Sequence, residues 1–388
     1  MKPESDHVVR ARSLRPIARA AAAEADRERR LPSRVAEAMA REGLYRVAAP
    51  KWIGGAEASP DTQIRVIEAV SEGDGAAGWN LMIGIESFSL AGLAFEKDID
   101  LFADPTTIVC GSTTNAGRAD RVAGGYRVSG QWSFVSGCHN SRVFMALVTI
   151  HENGEPVPGR MPAQAAIPNG EFEIIDTWNV SGLRGSGSHD VRVDNVFVPD
   201  KHMGSWLENM NSERLADSTV LRIPLGPRLA YNKVAVGFGI ARAALDEFTK
   251  LATAKKPLFA TSKLRDKPHA QRAIARAEVR LRSARALVLE NAAALWDTVL
   301  ANQQFSDKSR ALFAIACSDG ARACAEAVDA VAEVAGTTAN QLDSPLEKLM
   351  RDVRVIRQHV TVAPSLIEDG GRVLLGLEPE SVMLKIFR

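Results

Sequence analysis

The feature that most limits what this chain can fold into is a change of hydrophobic period. From about Thr106 to Asp200 apolar and polar residues alternate, as in "RVAGGYRVSGQW", "RVFMALVTI", "EFEIIDTW" and "DVRVDNVFV". A period of two belongs to half-buried strands, and Gly124-Gly125 between two alternating stretches marks a hairpin. On both sides the spacing is helical. Upstream, Ser59-Pro60-Asp61 sets an N-cap residue before a proline at the first helical position, with Ile64, Ile67 and Val70 on one face. "SRVAEAMAREGL" reads as another helix stopped by Gly43, and 75–93 as a buried one. Downstream, "AQRAIARAEVRLRSARALVLENAAALW" and "SRALFAIACSDGARACAEAVDAVAEVAG" carry Ala and larger apolar residues at helical spacing, which suits an antiparallel bundle. The expectation is an α+β chain: a helical domain over 1–104, an antiparallel β barrel or sandwich over 105–218, and a helical bundle over 219–388.

Composition narrows the function. The 388 residues hold 48 basic and 47 acidic side chains, which gives no electrostatic footprint for nucleic acid or an anionic membrane. No run reaches the roughly 18 to 20 apolar residues of a membrane span, and the charged N-terminus lacks a signal core. A soluble, cytoplasmic protein is expected. The four cysteines form no CxxC pair, and Cys317 and Cys324 share a helical face as small core residues, so no metal is expected. "VAVGFGIARAALDEF" sets Gly237 and Gly239 after an apolar run, as a dinucleotide fingerprint would. It lacks the third glycine, the later acidic residue and a parallel sheet around it. A nicotinamide site of that kind is not expected.

Four stretches could carry chemistry. In "GYRVSGQWSFVSGC", Trp132 and Phe134 could wall a flat, polar-edged ring beside Ser136-Gly137; taken alone they read as core aromatics and a turn. "VCGSTTNAGRA" offers Ser112, Thr113, Thr114 and Asn115 at the end of a strand, or a plain polar turn. "GLRGSGSHD" could use Arg184 and backbone amides for a phosphate, or only turn the chain between strands, with His189 as a turn residue. "RDVRVIRQHVTVAPS" puts Arg351, Asp352 and His359 on a helix, with the last two on one face.

Taken together and in order, these stretches resemble the acyl-CoA dehydrogenase superfamily over nearly the whole chain. Its fold is an N-terminal helical domain, a middle β domain and a C-terminal four-helix bundle. "GYRVSGQWSFVSG" and "WNVSGLRGSGSHDVRVDNVFVP" correspond in kind to its two β-domain signatures. "LMRDVRVIRQHV" is similar to the oxygenase components of two-component flavin-dependent monooxygenases, such as 4-hydroxyphenylacetate 3-hydroxylase. The resemblance implies reduced flavin, FMNH2 or FADH2, delivered by a separate NAD(P)H-flavin reductase, and oxygen transfer to a small organic, aromatic substrate. It implies no metal, and a homotetramer.

The resemblance also assigns roles. His359, Ser136 and Ser112 would be catalytic; Trp132, Phe134, Ser136, Gly137, Thr114 and Arg184 would hold the flavin. Glu86, Ser112 and Trp178 would meet the substrate. Two departures bear on a phenolic substrate: Glu86 stands where aromatic hydroxylases of this branch carry a histidine, and Asn115 where a proline is common. Two alternatives stay open. One is an FAD-dependent acyl-CoA dehydrogenase with Glu368 as base; the other is a non-catalytic, ligand-binding member of the fold.

Overall fold

The computed structural model describes residues 5–95, 100–210 and 212–385, apart from the side chains of Asn115 and Arg214. The chain forms two compact units: Met1–Ser59, Trp79–Val180 and Arg184–Arg222 make the first, and Pro60–Gly78, Ser181–Leu183 and Ile223–Arg388 the second. The helices are α1 (Asp6–Ser13), α2 (Arg15–Glu28), α3 (Ser33–Arg41), α4 (Pro60–Ser71), α5 (Gly75–Ala94), α6 (Trp206–Asn209), α7 (Leu225–Ala254), α8 (Pro268–Leu300), α9 (Asp307–Ala335), α10 (Pro345–Ile356), α11 (Ser365–Leu374) and α12 (Val382–Lys385).

The strands of the first unit are β1 (Val109–Val122), β2 (Gly125–Val135), β3 (Val143–Glu152), β4 (Glu155–Pro156), β5 (Ala163–Pro168), β6 (Glu173–Ile175), β7 (His189–Pro199) and β8 (Met203–Gly204). They form one sheet in the order β6-β7-β2-β1-β3-β5-β8, with β4 added to β3. The expected hairpin is there: β1 and β2 pair antiparallel from Arg118↔Ser129 to Val122↔Gly125, and Gly124 takes φ +76° in the turn. The sheet is mixed, however, where only antiparallel pairing was expected. After β2 the chain passes the start of β1, where the Arg142 amide bonds the Ile108 carbonyl at 2.9 Å, so β3 enters beside β1 in the same direction. Ser112 and Thr114 also lie inside a strand rather than at its end. There β1 bulges, its pairing with β3 jumping from Ser112↔Ala146 to Gly117↔Val148.

Trp132 is the centre of this unit's core. Its ring is fully enclosed, its indole N–H donates to the Leu147 carbonyl at 2.8 Å, and Phe144 meets it edge-on at 5.3 Å. Close approach of the backbone makes the space. A Cβ on Gly117 would stand 2.3 Å from the indole, and one on Gly130 would meet it at 2.8 Å. Burying a ring of that size stabilises by on the order of 3 kcal/mol.

The second unit is helical. Tyr231 of α7 stacks on Phe313 of α9 at 6.1 Å and bonds Gln63 of α4 at 3.0 Å. Arg285 of α8 makes a two-point pair with Glu68 of α4, and Arg280 of α8 another with Asp319 of α9. Cys317 and Cys324 are buried free thiols on α9, and Gly237 packs beside Cys324. A Cβ on Gly239 would lie 2.4 Å from the Glu68 carbonyl, so the glycines of "VGFG" serve the packing of α7 on its neighbours. Among the described residues, no helix is long and apolar enough to cross a membrane, and no group of His, Cys, Asp or Glu is placed to hold a metal.

Candidate functional site

In the first unit the end of β2 and the glycine-rich turn before β7 meet through hydroxyls. Ser136 Oγ lies 2.7 Å from Ser188 Oγ, which lies 2.7 Å from Ser186 Oγ. The Trp79 indole N–H of α5 donates to Ser136 Oγ at 3.1 Å. Backbone closes the arrangement: the Gly137 amide donates to the Ser186 carbonyl at 3.0 Å, and Asn80 Nδ2 to the Gly185 carbonyl at 3.3 Å. Gly137 has φ +78°, and a Cβ there would stand 2.7 Å from Asn80 Oδ1, so only glycine suits the position. A serine hydroxyl has one proton and two lone pairs. If Ser186 donates to Ser188 and Ser188 to Ser136, then Ser136 accepts twice and keeps its own proton to give. Trp79, Asn80 and Ser188 were not singled out from the sequence. The available signal was the indole in the apolar stretch 75–94, since a buried Trp N–H needs a partner.

Two residues before Ser136 is Phe134, a non-glycine residue at φ +60° and 62% exposed. That backbone region costs an aromatic residue roughly 1 to 2 kcal/mol. The ring gains little burial in return, and Trp178 meets it edge-on at 6.2 Å. The segment holding Trp178 is fastened by His189: Nδ1 accepts the Thr177 and Trp178 amides at 3.2 Å each, and Nε2 faces the Arg29 carbonyl at 3.3 Å. His189 is therefore the neutral Nε2–H tautomer, and burial lowers its pKa, with the Asp176 carboxylate acting against that. Of the two aromatics noted on β2, Trp132 faces the sheet core and Phe134 faces outward.

The remaining predicted residues of this unit are also placed. Ser112 Oγ donates to the Ser133 carbonyl at 2.7 Å and lies 2.9 Å from Thr114 Oγ1, inside the β1 bulge. Arg184 is spent on backbone, bonding the Asp26 and Val180 carbonyls at 3.0 Å each. Glu86 is buried on α5, on the helix face shared by Trp79 and Ile83.

In the second unit α10 ends at Ile356, so His359 lies in the turn beyond it and does not share a helical face with Asp352. The Thr361 amide and hydroxyl stand 3.3 and 2.9 Å from His359 Nδ1. With Nδ1 accepting, the proton sits on Nε2. Burial, and then the buried Lys233 cation, push its pKa down to about 3. Asp352 is fully enclosed; its Oδ1 accepts the Leu183 amide and its Oδ2 the Lys348 ammonium, both at 2.6 Å. Burial pushes the Asp352 carboxyl up, and Lys348 opposes it. Glu368 is exposed on α11.

The donor set of the first unit suits a flat ring with a polar edge. Phe134 and Trp178 offer apolar faces, and the serine chain offers a hydrogen-bond donor two residues along the same strand end. Residues 9–94 match the acyl-CoA dehydrogenase N-terminal domain family, and residues 232–364 match its C-terminal domain family. Indole-3-acetate monooxygenase of Pseudomonas putida is 31% identical over 362 residues, covering 93% of this chain and 91% of that protein. The flavin-dependent monooxygenase oxygenase subunit HsaA of Rhodococcus jostii is 28% identical, covering 91% and 93%. Among solved structures, 3-HSA hydroxylase from Rhodococcus sp. RHA1 superposes with a TM-score of 0.86 at 26% identity, over 98% of this chain and all of that one.

Proposed function

The chain belongs to the acyl-CoA dehydrogenase superfamily, among its flavin-dependent monooxygenases, and we propose that it is an oxygenase component acting on a small aromatic substrate. A separate NAD(P)H-flavin reductase supplies its reduced flavin. Bound reduced flavin supplies the activation of oxygen, of which one atom goes to the substrate and the other to water. This chain's residues bind, orient and manage protons. Phe134 and Trp178 would hold the flavin ring, and Ser136 would donate a hydrogen bond from its hydroxyl to the ring edge. Ser112 and Thr114 face the reactants from the bulge, and Glu86 meets the substrate from the Trp79 face of α5. In the second unit, His359 would offer a neutral Nε2–H as a hydrogen-bond donor to negative charge on oxygen, the role the family resemblance implies for it. Trp132 acts from behind, by fixing the strand that presents Phe134 and Ser136. Either FMNH2 or FADH2 meets these requirements, because the groups named touch the ring and not the rest of the cofactor.

The observation that carries this reading is the pairing of an outward, strained Phe134 with the Trp79–Ser136–Ser188–Ser186 chain. We propose a homotetramer, as the family resemblance implies, with the exposed Val279 and Leu287 of α8 as apolar surface open to a partner copy. Titration with oxidised and anaerobically reduced flavin, followed by absorbance, tests the reading: the reduced form binds more tightly. If reduced flavin does not bind, the proposal fails and a non-catalytic role takes its place.

A further inference from the structure

Three segments that carry candidate site residues start from one buried ion cluster. Lys348 on α10 gives its ammonium to Asp74 Oδ1 and Asp352 Oδ2, each at 2.6 Å, with side-chain exposures of 15%, 2% and 0% for Lys348, Asp74 and Asp352. Each carboxylate also has a second duty. Asp74 Oδ2 accepts the Ala77 amide at 2.9 Å and so caps α5, the helix that carries Trp79 and Asn80. Asp352 Oδ1 accepts the Leu183 amide at 2.6 Å, immediately before Arg184 and the Ser186–Ser188 turn. Asp352 itself stands on the helix that leads into His359.

The packing at the Leu183 turn is close as well. A Cβ on Gly182 would lie 2.2 Å from the Arg351 carbonyl, the Arg351 guanidinium bonds the Ser181 carbonyl, and Leu183 has φ +52°. A buried ion cluster is a weak source of stability, because desolvation offsets most of the attraction. It is a strong source of geometry. An ammonium shared by two carboxylates, each of them also bound to a backbone amide, tolerates few arrangements.

We infer that Lys348 and Asp352 are positioning residues, fixing the Ser181–Leu183 turn and the start of α5 so that Arg184–Ser188 and Trp79–Asn80 leave from set backbone positions. The catalytic consequence rests on the monooxygenase reading; the positioning itself does not.

The test therefore has one arm without flavin and one with it. Amide hydrogen exchange of the flavin-free protein is compared for wild type, Lys348→Met, Asp352→Ala and Asp352→Asn. Exchange at Leu183 speeds up by roughly tenfold or more in Lys348→Met and Asp352→Ala. Asp352→Asn keeps an acceptor for that amide and recovers part of the protection. In turnover with a reductase, the first two variants divert a several-fold larger share of oxygen to hydrogen peroxide, while KM for the substrate moves less. Should single variants fail to fold, Asp74→Asn/Lys348→Met/Asp352→Asn, which leaves no charge unpaired, is measured in the same way. Unchanged exchange at Leu183 overturns the inference, and so does faster exchange with unchanged coupling. If wild type binds no reduced flavin, the monooxygenase reading falls, and the exchange arm still decides the role of the cluster.

Discussion

His359 Nδ1 already takes the amide and hydroxyl of Thr361, so the ring can act only through Nε2–H. Its pKa is held at about 3, chiefly by burial and then by Lys233. The folded value lies below that of the unfolded chain, so as pH falls below about 6.5 the unfolded state takes up a proton that the native state refuses. This group therefore removes stability as pH drops from about 6.5 to about 3, and has no effect above that window. A neutral donor is thus present throughout the physiological range. The nuclear magnetic resonance signal of His359 should show no titration between pH 8 and 5. Lys233→Met should raise the pKa while leaving it below 6.5, because burial is the larger cause. A wild-type midpoint near 6.5 would remove the neutral-donor role. Phe134 makes a second prediction at this scale. Its left-handed backbone favours glycine and its ring is mostly exposed, so Phe134→Gly should unfold no more easily than wild type. It should bind reduced flavin about tenfold more weakly, since an aromatic face is worth roughly 1 kcal/mol or more. Unchanged affinity in the titration would take Phe134 off the ring.

At the scale of elements, the glycines of α7 show how one pattern can serve two ends. "VAVGFG" has the look of a nucleotide turn, yet Gly239 lies in mid-helix against the Glu68 carbonyl of α4. Gly239→Val should push the two helices apart and cost roughly 1 to 3 kcal/mol, read from a urea or thermal transition. A variant as stable as wild type would mean that α4 and α7 have slack. The helical blocks, the hairpin at Gly124 and the glycine turn before β7 were legible in the sequence, because each is set by local period or turn chemistry. The parallel β1–β3 pair was not, since a short connection past the start of β1 leaves no periodic mark. His359 was placed on a helix because "RDVRVIRQHV" keeps helical spacing, but the turn that presents Nδ1 to Thr361 stops the helix at Ile356. Trp79 and Ser188 went unnoticed for a different reason. A buried indole signals only that its N–H needs a partner, and which residue supplies it is decided by contacts between segments far apart in the chain.

At the scale of the whole molecule, the proposed division of labour with a separate reductase rests on where a nicotinamide could bind. The stretch that resembles a dinucleotide fingerprint is a helix packed among helices, and among the described residues the sheet is mixed, with no strand–helix–strand crossover to form a nucleotide crevice. Reducing equivalents should therefore arrive already on flavin. The isolated chain, given NADH or NADPH, oxygen and substrate but no free flavin, should consume nicotinamide no faster than the buffer alone. Adding flavin and a flavin reductase should start oxygen uptake. Flavin reduced chemically and mixed with the protein, substrate and air should give product with no nicotinamide present, at no more than one product per flavin in a single turnover. That last arm separates a requirement for reduced flavin from a requirement for the reductase as a binding partner. Product from chemically reduced flavin means that diffusion is enough; product only when the reductase is present means that transfer needs contact. Steady oxidation of NADH by the isolated chain without added flavin would overturn the two-component scheme, because the hydride would then have a binding site within this protein.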